Sequence, residues 1–69
     1  MRLVYTLHSR KRMLERGIDE KDVESVLASP DSVEDDKNRA LIASKRIGNK
    51  AIKIIYSLQG NKIIVITVC

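Results

Sequence analysis

The spacing of apolar residues changes along this chain, and the changes mark its elements. Leu3-Val4-Tyr5 is a short apolar run with β propensity and predicts a strand. From Thr6 the period lengthens. Thr6 is a helix-capping residue and Gly17 supplies a left-handed stop, so a first helix is expected to run to about Arg16. The next start is sharper. Asp19 stands as the cap, Asp22 at the third helical position, and Ile18 and Val23 at the two sites of a hydrophobic staple. Glu20, Asp22 and Glu24 put negative charge in the first turn, where the helix dipole favours it. Val23, Val26 and Leu27 form the apolar stripe, and Pro30 ends this helix by about Ala28.

Beyond Pro30 the pattern turns to strands. Ser32-Val33-Glu34 is a short edge segment or a loop, and Asp35-Asp36-Lys37-Asn38 is a turn. Arg39 to Ile47 reads as a strand that breaks at Gly48-Asn49, a hairpin signal. Lys50 to Leu58 is rich in β-branched residues, Gly60-Asn61 is a second hairpin signal, and Lys62 to Cys69 is the last strand. The order β-α-α-β-β-β predicts an α+β fold. Its two N-terminal helices pack on one face of an antiparallel three-stranded meander, which becomes four-stranded if the first strand joins.

Two-residue hairpins fix a register. Ala43 then faces Ile54, Leu41 and Val65 face Tyr56, and Ile54 faces Thr67. The face expected beneath the helices carries Leu41, Ala43, Ile52, Ile54, Tyr56, Leu58, Ile63 and Val65. The other carries Ile42, Ser44, Arg46, Lys53, Ile55, Ser57, Ile64, Ile66 and Val68. That second face is too apolar for free solvent and too basic for a core. A slip of one residue would exchange the two faces.

At 69 residues the chain has room for one domain, residues 1–69, and its margin of stability is thin. Cys69 is the only cysteine and His8 the only histidine, which excludes an intrachain disulfide and a Cys/His zinc site; no cofactor is expected. Small domains without such staples gain from a partner. No apolar run approaches a membrane span, and charge arrives too early for a signal peptide, so the expected location is cytoplasmic.

The net charge of +4 hides a strong segregation. Residues 19–36 hold eight acids against Lys21, whereas residues 37–69 hold seven bases and no acid. A long basic segment of this kind reads as an anion-facing surface. His8, Arg12 and Arg16 stand at i, i+4 and i+8 and share one stripe of the first helix, apart from the arc of Leu7, Met13 and Leu14. A cationic stripe with one imidazole suits a phosphodiester. The plainer reading has His8 capping or packing at the helix start and the arginines solvated or paired with Glu15 and the acidic block. Arg46 and Lys53 on the second sheet face, with Lys45 and Lys50 near the same hairpin, suit a surface that tracks a nucleic-acid backbone, or else edge lysines that block aggregation. Asp31, Glu34, Asp35 and Asp36 read as a solvated turn rather than a magnesium site.

The stretch from His8 to Ile18, His-Ser-Arg-Lys-Arg-Met-Leu-Glu-Arg-Gly-Ile, resembles the opening signature of a small prokaryotic domain-of-unknown-function family. In that signature His-Ala is followed by Arg-Met, two residues and Arg-Gly-Ile; Ser9 stands here in place of Ala. Leu27-Ala28-Ser29-Pro30 and the closing Ile64-Val65-Ile66-Thr67-Val68 continue the resemblance across nearly the whole chain. The family is similar to the RelE/ParE and BrnT toxin folds. The resemblance implies a toxin-like domain, with mRNA cleavage as the best-known activity of a wider group that also holds gyrase-directed and non-catalytic members.

Two functions are therefore expected to compete. One is a metal-independent endoribonuclease acting on RNA or at the ribosome. In it His8 serves as base or acid, Arg12, Arg16, Arg46 and Lys53 supply cations, and Tyr56 supplies a proton. The other is a non-catalytic module that forms a homodimer, or holds an antitoxin-like protein, through the apolar sheet face.

Overall fold

The computed structural model describes residues 2–69. Strand β1 (Arg2–Tyr5) leads into helix α1 (Leu7–Arg16) and helix α2 (Glu20–Ala28). Four strands follow: β2 (Ser32–Asp35), β3 (Leu41–Ile47), β4 (Lys50–Gln59) and β5 (Lys62–Val68). The fold is α+β, as the residue pattern predicts. The meander is larger than expected, because Ser32–Asp35 is a true edge strand and β1 also joins. All five strands form one sheet in the order β1-β5-β4-β3-β2. Consecutive strands β2 to β5 pair antiparallel, and β1 lies parallel to β5, so the N-terminal strand completes the sheet beside the last one.

Local chemistry sets the helix limits. The Thr6 side chain accepts the Ser9 N–H at 3.0 Å, and the Ser9 hydroxyl donates back to the Thr6 carbonyl at 2.8 Å. This pairing satisfies the hydroxyl of Ser9, which is fully buried. Gly17 sits at φ 65, and the N–H groups of Gly17 and Ile18 close on the Leu14 and Met13 carbonyls, a Schellman end. Helix α2 begins with a capping box: Asp22 N–H donates to Asp19 at 2.9 Å and Asp19 N–H donates to Asp22 at 3.2 Å. Gly48 and Gly60, at φ 60 and 62, occupy the first central position of their hairpins, which a type II′ turn reserves for glycine. Strand β3 starts at Leu41 rather than Arg39, because Arg39 adopts φ 62 in the turn.

Both helices cover one face of the sheet, α1 over β5 and α2 over β3 and β4. Between them and the sheet lie Met13, Ile18, Val23, Val26, Ala43, Ile52, Ile54, Val65 and Val68, with Tyr5, Leu27, Ile47 and Tyr56 at the margin. The expected register holds between β3 and β4 and through the first half of the β4–β5 hairpin. It then fails for a physical reason. A bulge leaves Ile66 unpaired, so Thr67 faces Ile55 and Val68 faces Ile54. The extra residue carries Val68 from the expected outer face into the core, where it is fully buried. Leu58 lies beyond the cover of the helices and is exposed. On α1 only Met13 of the expected apolar arc is buried; Leu7 and Leu14 face solvent at 91% and 86% exposure.

Candidate functional site

Helix α1 lies against the second half of β5, beyond the reach of β1. Its side chains take up carbonyls along that edge. The Thr6 hydroxyl is shared between the Val65 and Ile66 carbonyls at 3.1 and 3.0 Å. Two turns further on, Arg12 Nε donates to the Val68 carbonyl at 3.4 Å, while its guanidinium stands 3.7 Å from Glu15. The stripe of His8, Arg12 and Arg16 therefore runs toward the C-terminal end of β5. His8 is exposed at its start. Arg16 ends the stripe and opens onto a recess of about 190 Å³, lined also by Ile18, Lys50, Ala51, Ile52 and Cys69.

This recess brings two cations together, and none of its lining residues is acidic. Arg16 enters neither of the ion pairs among the described residues. Lys50 is held in place by a 2.8 Å bond from its ammonium to the Gly17 carbonyl, where the α1 dipole favours positive charge. An ammonium has three donors, so two remain for a ligand. The C-terminal Cys69 is exposed and pairs with Lys53 through both backbone bonds, at 2.9 and 3.1 Å. A guanidinium and an ammonium converging on a shallow site with no acidic side chain in its walls can hold an oxyanion such as a phosphate.

The eight residues expected at the site fall into groups. His8, Arg12 and Arg16 stay together on α1, and Lys50 joins Arg16 from across the chain. Arg46 and Lys53 lie at the same end of the sheet but on the face opposite the helices; Lys53 pairs with Ser44 and Arg46 with Ala51. Arg46 is anchored by its backbone N–H to Asp31 at 3.0 Å. Lys45 is directed elsewhere, its ammonium bonding the Ser29 carbonyl at the end of α2 at 2.7 Å. Tyr56 packs against the core beneath the helices and does not line the recess. No group of three or more His, Cys, Asp or Glu residues among those described is placed to hold a metal ion.

Residue patterns alone do not point to Tyr5 or Cys69. Tyr5, the last residue of β1, packs against the margin of the core. Arg10 lies over its ring, 4.3 Å from the centroid, and bonds Glu20 of α2 at 3.3 Å. The Tyr5 hydroxyl is buried without a hydrogen-bond partner. Burial pushes its pKa up, Glu20 and Glu24 add to the rise, and Arg10 opposes it. An aromatic residue five positions before one arginine in a run of basic residues carries no signal of such a contact.

No helix among the described residues is long and apolar enough to cross a membrane. No curated protein and no solved structure matches the chain. A family model does: the one described as a domain of unknown function, DUF4258, matches residues 5–69. That stretch holds both helices, the four antiparallel strands and every residue of the cationic recess, and the chain belongs to the DUF4258 family.

Proposed function

We propose that this domain binds RNA by its phosphate backbone and is a toxin-like protein of the RelE/ParE and BrnT kind. The observation that carries the reading is the convergence of Arg16 and Lys50 on one recess without acidic side chains in its walls, with Arg12 and His8 leading to it along α1. Backbone contacts of this type are insensitive to sequence and weaken with salt. Base recognition by stacking is not expected at the recess, because neither Tyr5 nor Tyr56 lines it. Lys53 and Arg46 extend the positive surface around the end of the sheet, as a path for the strand to either side.

Cleavage by the 2′-hydroxyl needs a proton acceptor, cations on the phosphate and a donor for the leaving oxygen. His8 is the one imidazole on the stripe, the side-chain type that most often serves as acid or base, and it is open to solvent. It serves as the base or acid of a metal-independent endoribonuclease, with water exchanging the proton at the other oxygen, while Arg12 and Arg16 hold the phosphate.

Both steps are measurable. Affinity for a fluorescent single-stranded RNA, titrated against salt, should fall along a line in log–log form. Arg16→Gln with Lys50→Gln should flatten that line by roughly 1.4, at about 0.7 per lost phosphate contact. A slope that stays the same places the RNA elsewhere or removes it. His8→Ala should slow cleavage of the same RNA by about 10² or more. Undiminished cleavage would deprive His8 of the role and leave binding alone.

A further inference from the structure

The sheet face turned away from the helices is uncovered, and its residues are arranged in a definite order. Val4, Ile64, Ile55 and Ile42 are half-buried and lie on four adjacent strands, with Ser57 and Thr67 between them. Arg2 and Lys62 pair at one end of this apolar centre, and Lys53 and Arg46 stand exposed at the other. Glu34 on the β2 edge is the one acid on the strand residues of this face. The pattern is therefore an aliphatic middle between two cationic ends.

Three occupants could cover such a face, and the charges discriminate among them. A second copy would press together two faces that each carry Arg2, Lys62, Lys53 and Arg46 against the single acid Glu34. Like charges placed together oppose that arrangement. Single-stranded RNA would find phosphate partners at the ends but no ring on which to stack a base, because both tyrosines lie on the helix-covered side. An amphipathic protein helix satisfies both features, since its apolar stripe covers the aliphatic middle and acids near its two ends meet the cations. The fold covers its other face in the same way, with helices.

We infer that the open sheet face is the docking site for an amphipathic helix of a partner protein, apolar along one stripe and acidic in its first and last turns. From the Lys62–Gln59 pair to the Arg46–Ala51 pair the face spans about 27 Å at roughly 3.4 Å per residue. A helix of about 18 residues has that length. The aliphatic middle and the Arg2–Lys62 end lie on the opposite side of the sheet from the helices, apart from the recess of Arg16 and Lys50; only Lys53 and Arg46 are shared with the path proposed for RNA, so the Arg2 and Lys62 variants test this site independently of the RNA reading.

The probe is a synthetic 18-residue helical peptide with leucines at i, i+3, i+4 and i+7 spacing and glutamates in both end turns. Its control carries lysines in place of the glutamates. Fluorescence anisotropy should show the acidic peptide binding at least tenfold more tightly than the control. Arg2→Glu with Lys62→Glu, and separately Ile55→Ser, should weaken it at least tenfold, while Leu14→Ser on the far side of the molecule should leave it unchanged. Because Ile55→Ser could unfold the domain, circular dichroism is recorded for each variant, and the exposed charge pair carries the test if that variant melts. Equal binding of both peptides, no binding at about 100 µM, or loss through Leu14→Ser overturns the proposal. So does displacement of the bound peptide by single-stranded RNA in the Arg16→Gln, Lys50→Gln variant. A dimer in sedimentation that disappears in Arg2→Glu, Lys62→Glu would give the face to a second copy and overturn it as well.

Discussion

The hydroxyl of Tyr5 is the one buried side-chain polar atom among the described residues that lacks a hydrogen-bond partner. A lone buried hydroxyl costs free energy without a bond to offset it, so Tyr5→Phe should leave stability at neutral pH unchanged or slightly raised. The alkaline range separates the two proteins further. Burial, with Glu20 and Glu24, raises the folded-state pKa of Tyr5 above its unfolded value. Below about pH 10 both states hold the proton, and the group gives no pH dependence. As pH rises past that value the unfolded chain releases its proton first, so it binds fewer protons than the folded one and stability declines. Urea midpoints measured from about pH 8 to 11 should therefore fall more steeply for the natural protein than for Tyr5→Phe. The comparison cancels the lysines, which titrate in the same range in both. Parallel curves would show that the phenol ionises as easily folded as unfolded. Tyr5 also marks how far a sequence is legible at this scale. Asp19, Asp22 and Gly17 are legible because their partners are at most three or four residues away. Tyr5 is not, because Arg10 and Glu20 meet it only after α1 and α2 have turned back on each other.

At the scale of elements, each helix is closed at its C-terminal end by a lysine from the sheet. Lys50 bonds the Gly17 carbonyl after α1, and Lys45 bonds the Ser29 carbonyl after α2. The residue pattern assigns both lysines to RNA, since seven bases without an acid in residues 37–69 suggest an anion and give no hint of a carbonyl 33 or 16 positions earlier. The start of α2 is locally determined and more strongly held. Asp19→Ala removes half of a reciprocal capping box and should cost about 1 kcal/mol in urea denaturation. Lys45→Met removes one charged contact at an exposed helix end and should cost about 0.5 kcal/mol. The order of the two losses is the test: a larger loss at Lys45 would mean that the strand-to-helix contact, rather than the local cap, holds α2 in place.

For the whole molecule, the order of helices and strands is legible because turn chemistry and period are local properties of the chain. The full width of the sheet is not. One unpaired residue, Ile66, exchanges the faces of everything after it, and neither its composition nor its neighbours distinguish it from the regular strand before it. The placement of β1 is equally hidden, since its partner β5 lies about 60 positions away at the other end of the sequence. That long closure has a consequence for how the protein opens. Strand β4 is central, paired on both sides and supplying Ile52 and Ile54 to the core. Strands β1 and β2 are edges of four residues each, and every residue of β2 is exposed. Ordering a residue's backbone costs about 1–2 kcal/mol, and a ladder hydrogen bond returns roughly 0.5–1.5 kcal/mol, so an edge strand stays closed only through the side chains it buries. Strand β2 buries none, whereas β1 half-buries Leu3, Val4 and Tyr5. Amide hydrogen exchange should rank accordingly. The amides of β2 should exchange fastest, those of β1 should open in an intermediate step, and the paired amides of β4 should exchange only with global unfolding. If β2 were protected as long as β4, the sheet would unfold as one unit, and burial of side chains would not be what holds its edges.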